Sequence, residues 1–326
     1  MDQLLGLAAQ NLISPIILSF VLGVAASLAR SDLSIPEAVA KGMSIYLLFA
    51  IGFKGGVSVA DHGIDGTLGL ALLAGILLSF GLPLIAFGLL RVMTALDRLD
   101  AAAVAAHYGS ISIVTFVAAT SVLASQGIAS EGYMVAVAAA MEAPAILSAL
   151  WLVARGSGGA RSMEAGLLQE IMLNGSIVLL LGSFLIGWAT GPGGLAEIAP
   201  FIVSPFKGVL CLFLLDMGLV AGRGLREGGR ILRPGVLAFG VIMPLIGAVC
   251  GLGMGLALGL SEGGVALLMV LSASASYIAV PAAMRVALPE ANPSLYLTLS
   301  LGVTFPFNLT LGIPLYVAVA QVMTGG

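Results

Sequence analysis

The chain has 326 residues, of which 60% are hydrophobic and 9% charged, with a net charge of −3. A soluble domain carries about 25% charged residues, so composition excludes one, and no basic patch large enough for nucleic acid is present. Charge-free runs cover 12–29, 66–90, 171–196, 234–261 and 291–326. Each is long enough, at roughly 18 residues or more, to nominate a spanning helix. The period-two alternation of a lipid-facing barrel is absent. The predicted fold class is therefore an all-α polytopic membrane protein.

Ten transmembrane helices are predicted in chain order, at 12–29, 36–57, 67–93, 99–127, 131–154, 171–190, 201–222, 234–260, 263–288 and 292–323. The opening Met1-Asp-Gln lacks the basic start of a secretory signal, so the first helix is expected to be retained. Gly251, Gly255 and Gly259 form two small-xxx-small steps in the eighth helix and read as a packing ladder. Cys211 and Cys250 fall in apolar segments and read as small buried hydrophobes. Trp151 and Trp188 lie near helix ends and suit interfacial anchoring.

The glycine- and arginine-containing stretch 155–161 is the one hinge of composition. It divides the chain into a first five-helix repeat, 1–155, a cytoplasmic linker, 156–170, and a second repeat, 171–326. Leu48-Phe-Ala-Ile-Gly-Phe-Lys-Gly-Gly56 is similar to Leu214-Leu-Asp-Met-Gly-Leu-Val-Ala-Gly222. Each half then carries a serine-rich stretch and a proline-bearing helix, with Pro144 in one and Pro306 in the other. Five crossings is an odd number, so a repeated half enters the membrane upside down, and an inverted repeat follows.

Charge supports the same arrangement. Arg30, Lys41, Arg91, Arg98, Arg155, Arg161, Arg223, Arg226, Arg230, Arg233 and Arg285 fall on one side of the predicted topology. Only Lys54 and Lys207 fall toward the other. The positive-inside rule assigns the arginine-rich side to the cytoplasm and both termini to the outside of the plasma (inner) membrane.

The candidate chemistry sits in the fourth and ninth helices. Gly109-Ser-Ile-Ser-Ile-Val-Thr-Phe116 aligns with Ser272-Ala-Ser-Ala-Ser-Tyr-Ile-Ala-Val-Pro281 at an offset of 164 residues, from Ser110 to Ser274 and from Ser112 to Ser276. Small hydroxyl residues also permit ordinary close packing or back-bond to their own helix, so either cluster alone says little. Two clusters at matched places predict interrupted helices that cross. Proline suits the first turn of a new half-helix, which puts the second interruption before Pro281. At such breaks, free N–H groups attract anions and free carbonyls with hydroxyls coordinate sodium.

Glu142, in Met141-Glu-Ala-Pro-Ala145, lies mid-helix, where translocon scales charge an acid about 2.5–3.5 kcal/mol. It reads as an ion or solute ligand, or as a partner for backbone freed near Pro144. Thr304 and Asn308, in Thr304-Phe-Pro-Phe-Asn308, occupy the similar neighbourhood of the second half. With Glu142 they form the candidate sodium ligands. Lys54 and Asp216 come from the paired segments, where a buried ion pair and snorkelling of Lys54 are both open. His107 reads as a hydrogen-bonded bundle histidine or as a relay or base for Ser110 one turn away.

The order Gly109-Ser-Ile-Ser, Met141-Glu-Ala-Pro144, Ser272-Ala-Ser-Ala-Ser276 and Pro289-Glu-Ala-Asn-Pro-Ser294 resembles the sodium-dependent bicarbonate permease family (SbtA-like) over nearly the whole chain. The resemblance implies a core of helices 3–5 and 8–10 and a gate of helices 1, 2, 6 and 7 that supports a homotrimer in the membrane lipid. It implies import of bicarbonate with sodium as coupling ion and no other cofactor. The solute would sit at Ser110, Ser112, Ser274, Ser276 and Tyr277. Tyr277 stands where cyanobacterial members carry an aspartate, and the linker is shorter than their cytoplasmic insert. A PII-like soluble regulator, known for the family, is the partner the resemblance adds. The expected function is thus a secondary carrier of a small anion working by alternating access. Sodium symport of another anion and sodium/proton antiport through Glu142 are its alternatives. An intramembrane serine hydrolase is the reading from a different class, without a Gly-x-Ser-x-Gly elbow to support it.

Overall fold

The computed structural model describes residues 13–63, 66–142, 144–154, 175–228, 233–277, 280–281, 284, 288 and 290–325. The predicted linker 156–170, with Arg155, Arg161, Arg230 and Arg285, lies outside the described residues. Among those described, every regular element is a helix. In chain order they are α1 (Pro15–Leu28), α2 (Glu37–His62), α3 (Gly66–Met93), α4 (Arg98–His107), α5 (Ile113–Ser125), α6 (Met134–Ala140) and α7 (Pro144–Ala154). There follow α8 (Gly175–Ile202), α9 (Phe206–Gly228), α10 (Pro234–Ala257), α11 (Glu262–Ala273) and the long α12 (Pro293–Thr324). Seven of the described spans are long and apolar enough to cross a bilayer. Leu73, Leu77, Leu185 and Leu212 are among the large apolar side chains left exposed on them, as a lipid-facing surface requires.

The helices of 13 and 12 residues, α5 and α11, are each too short to span alone. At 1.5 Å per residue they reach about 18–20 Å against a hydrocarbon core of about 30 Å. They are segments of the two helices predicted to be interrupted. The first interruption runs from Tyr108 to Ser112, and the second begins at Ser274, where α11 ends. A third break, at Met141 and Glu142, follows α6, and Pro144 stands at the start of α7, where its missing N–H costs nothing. In α12 two π segments, Ser300–Thr304 and Asn308–Gly312, flank Pro306, the local adjustment expected where a proline cannot donate to the helix ladder.

Glycines decide which helices touch. On α2, a Cβ at Gly52 would lie 2.6 Å from the Leu180 carbonyl, and one at Gly56 would lie 2.6 Å from the Trp188 nitrogen, both on α8. On α9, a Cβ at Gly218 would lie 3.0 Å from Gly23 Cα, and one at Gly222 would lie 2.6 Å from Ser27 Cβ, both on α1. Equivalent glycines of the two similar nine-residue stretches therefore let α2 close on α8 and α9 close on α1. Gly251 and Gly255 pack against α11 as the predicted ladder requires. Gly259 does not: it follows the end of α10 with φ +65 and open space around it. The N–H of Leu260 reaches the Gly255 carbonyl and that of Gly259 the Leu256 carbonyl, so this glycine ends the helix in a Schellman motif.

One further expectation needs correction, and one open alternative is decided. The sixth helix ends at Gly191, next to its predicted end, but the rest of the predicted gap is a second helical segment of α8 that runs to Ile202. Gly191, with φ 59 and ψ −156, turns the chain, and Pro192 starts the continuation. Lys54 makes no ion pair with Asp216; its ammonium lies over the Phe206 ring, 4.3 Å from the centroid.

Candidate functional site

The two serine stretches meet. The Ser112 N–H donates to Ser274 Oγ at 2.9 Å, and the Ser276 N–H donates to the His107 carbonyl at 2.8 Å. Extended backbone at Ser112 (φ −99, ψ 106) and Ser274 (φ −83, ψ 161) turns these peptide groups out of their own helices. Breaks of this kind would leave peptide groups stranded in an apolar interior, and pairing across the crossing satisfies part of them.

Ser112 and Ser276 each accept an N–H from the turn that follows. Ser112 Oγ accepts the Thr115 N–H at 3.2 Å and the Thr115 hydroxyl at 2.9 Å, which caps α5. Ser276 Oγ accepts the Val280 N–H at 3.4 Å, four residues on where Ser112 reaches three. The other matched pair differs. Ser274 Oγ accepts from Ser112 and donates to the Leu271 carbonyl at 2.9 Å. Ser110 Oγ is buried without a protein partner, as is Ser272 Oγ. Tyr277 packs its ring edge-on to Phe305, and its buried hydroxyl lies beside Ser112 without completing a hydrogen bond.

Neighbouring helices press directly on the breaks. A Cβ at Gly109 would sit 2.5 Å from the Ser79 carbonyl and collide with the Pro83 ring of α3. A Cβ at Gly247 of α10 would sit 2.8 Å from the Ser272 carbonyl carbon and 3.2 Å from Ala273 Cα. Pro83 and Gly247, like Gly109 and Ala273, are related by the same 164-residue offset as the serines. In both halves the preceding helix thus touches the last turn before the break.

The candidate sodium ligands are held in separate networks. Asn308 donates from Nδ2 to the Ala273 carbonyl at 2.8 Å, and its Oδ1 accepts the Tyr316 hydroxyl at 3.0 Å. Thr304 donates to the Gly240 carbonyl at 2.7 Å, so the 2.6 Å contact with Tyr108 is a bond in which the tyrosine donates. Glu142 lies in the break that follows α6, 5% exposed, with Oε2 unpartnered. The adjoining Met141 carbonyl accepts the Ser79 hydroxyl at 2.6 Å. Carbonyls of His107 and Ala273, which the breaks expose, already accept protein donors and keep one lone pair each. Tyr108, Thr115, Tyr316 and Ser79 were not singled out by the sequence. Tyr108 abuts Gly109 and Thr115 ends the quoted motif, but Ser79 and Tyr316 sit in charge-free runs that give no signal.

His107 does not bond Ser110. Its Nδ1 donates to the Ala103 carbonyl at 2.7 Å, since a carbonyl can only accept, and its ring stacks on Tyr296 with centroids 4.4 Å apart. The basic nitrogen is then Nε2, which is buried without a partner and makes no bond to Ser110, so the two do not form a hydrolytic pair. What the arrangement offers is a set of neutral donors, peptide N–H groups and hydroxyls, beside carbonyl acceptors.

A family model described as the Na+-dependent bicarbonate transporter superfamily matches residues 15–321. Comparison with curated proteins gives no match.

Proposed function

Because the chain belongs to the Na+-dependent bicarbonate transporter superfamily, we propose that it is a secondary active carrier importing bicarbonate together with sodium by alternating access. The family is one of transporters, so the chain is not expected to be an enzyme, and its several apolar spans fit a multi-pass membrane protein. The observation that carries the mechanism is the crossing of the two interrupted helices with Ser110 Oγ buried and unpartnered there. Bicarbonate has one negative charge, three oxygens and one donor. A hydroxyl with no other duty, the N–H groups that open α5, and a nearby tyrosine hydroxyl can coordinate it without an arginine. Ser112, Ser274 and Ser276 shape that pocket, and Tyr277 closes one side. Sodium is drawn to Glu142 or to the remaining lone pair of the Ala273 carbonyl that Asn308 holds, with Thr304 in a network of its own.

Support for ten crossings in two inverted repeats comes from the helix pairing. The second helix of the first half packs on the first helix of the second half, and the reverse pairing holds for α1 and α9. Exchange of the halves by a two-fold axis produces such a pattern. The repeats are 1–155 and 171–326 about the linker 156–170, with both termini outside the plasma membrane. We assign helices α1, α2, α8 and α9 to a gate and α3–α7 with α10–α12 to a core that moves against it. The gate would carry the contacts of a homotrimer within the lipid, and a PII-like regulator would act from the linker side.

Purified protein in liposomes tests this reading. Labelled bicarbonate accumulates only under an inward sodium gradient if it holds. Equal uptake without sodium removes the coupling, and no uptake removes the solute.

A further inference from the structure

A cavity of about 450 Å³ lies between α2, α5, the loop 130–132 and the turn before α9, with Phe116, Thr120, Ser121, Glu131, Lys54 and Lys207 in its wall. Of the 13 lysines and arginines, Lys54 and Lys207 are the two that the charge pattern sets apart from the arginine-rich side. Both line this one space. Lys54 is half-buried, and the Phe206 ring beneath its ammonium steadies it by a cation–π contact while occupying none of its three N–H donors. Lys207 is exposed at the margin.

Glu131 is the one acid in the wall, and its carboxylate is engaged elsewhere. One oxygen accepts the Ser261 N–H at 2.6 Å and the other the Ser261 hydroxyl at 2.9 Å, at the start of α11. Two positive charges therefore face one tied negative charge. Ser121 adds a buried hydroxyl without a protein partner. Phe116 stands four residues after Ser112 on α5, so the wall reaches to about one helical turn, roughly 5.4 Å, from the crossing.

We propose that this cavity is a capture vestibule for small oxyanions, in which the Lys54 ammonium and the Ser121 hydroxyl hold the solute before it reaches the crossing. The inference rests on the anion-carrier reading above and adds to it a second station. Low-dielectric walls focus the field of a fixed charge and raise the local concentration of the opposite ion. A single ammonium shared with an aromatic face offers no bidentate grip, so the anion is gathered without being trapped. Lys207 contributes steering at the mouth, which salt screens more readily.

The test is charge-selective thiol labelling of Thr120→Cys in a background carrying Cys211→Ala and Cys250→Ala. Rates are compared for a negatively charged sulfonatoethyl and a positively charged trimethylammonium methanethiosulfonate. The vestibule predicts faster reaction with the anion, and a fall of roughly fivefold in the anion-to-cation ratio on Lys54→Gln, as expected for losing one partly screened charge at close range. Lys54→Arg keeps the ratio, and raising ionic strength lowers it without any change at Lys54, which covers a Gln variant that fails to fold. A ratio indifferent to Lys54→Gln, or to salt, overturns the proposal. The readout does not involve bicarbonate. A charge-dependent ratio with no sodium-driven uptake leaves the vestibule standing and removes the carrier reading; uptake with an indifferent ratio does the reverse.

Discussion

The two broken stretches carry the same serines at the same spacing, yet only one pair behaves alike. Ser112 Oγ and Ser276 Oγ each accept an N–H from the turn that follows, whereas Ser274 Oγ is bonded on both sides and the Ser110 hydroxyl is bonded to nothing in the protein. A repeat that folds by one rule has kept, in both copies, the serine that satisfies an N–H just after the break, where helix starts leave donors unpaired. The residue two places earlier is not under that constraint. In the second copy it serves as the acceptor that joins the halves, and in the first it is left available. An internal repeat therefore separates scaffold from ligand contact: what is equivalent builds the break, and what differs is where a solute can bind.

The strongest way to break this comparison is to fill the space on which both copies depend. Gly109→Val and Gly247→Val each push a side chain into a backbone carbonyl of the neighbouring helix, an overpacking that costs about 1–3 kcal/mol or more. Both should lose nearly all transport and melt earlier. Wild-type activity in either variant would show that the preceding helix does not press on the break.

A smaller but more selective loss is expected at the flanking helices, where the halves diverge further. Asn308 is tied to the Ala273 carbonyl while one oxygen of Glu142 is untied. Glu142→Gln should raise the sodium concentration for half-maximal uptake by about tenfold, the loss of roughly 1.4 kcal/mol of ion binding, with the bicarbonate KM at saturating sodium less affected. Sodium dependence unchanged by this variant removes Glu142 from the ion site, and loss of a pH-driven flux would favour antiport.

The smallest effects sharpen the shared role. Ser112→Ala should lower stability by about 0.5–2 kcal/mol, the usual range for an N-cap. Ser276→Ala should fall at the lower end, because its one bond to Val280 is long at 3.4 Å. Thermal melts in detergent read both, and an unaffected Ser112→Ala would mean the cap carries no weight.

Both breaks were legible in advance because small hydroxyl residues recurred at a fixed offset inside apolar runs, and Pro144 and Pro306 marked where ladders are interrupted. The nine-residue similarity marked the repeat but not the packing of its Gly52, Gly56, Gly218 and Gly222, since a glycine's neighbour across a helix contact leaves no trace in its own segment. The asymmetry of Ser110 and Ser274 was invisible for the same reason: the partner of Ser274 is the Ser112 N–H of the other half. Gly259 misled because a small-residue spacing and a helix C-cap look alike without backbone angles. The 191–200 stretch misled because Gly191 and Pro192 punctuate a helix that resumes as readily as one that ends.

The central claim is that the unpartnered serine at the crossing touches the transported anion, and sodium-driven uptake kinetics of Ser110→Ala beside Ser274→Ala test it most directly. With no protein bond to lose, Ser110→Ala should melt like wild type while its bicarbonate KM rises by about fivefold or more, the worth of one hydrogen bond to a charged ligand. Ser274→Ala should lose thermal stability as well as transport. A bicarbonate KM unchanged in a folded Ser110→Ala protein would contradict the account.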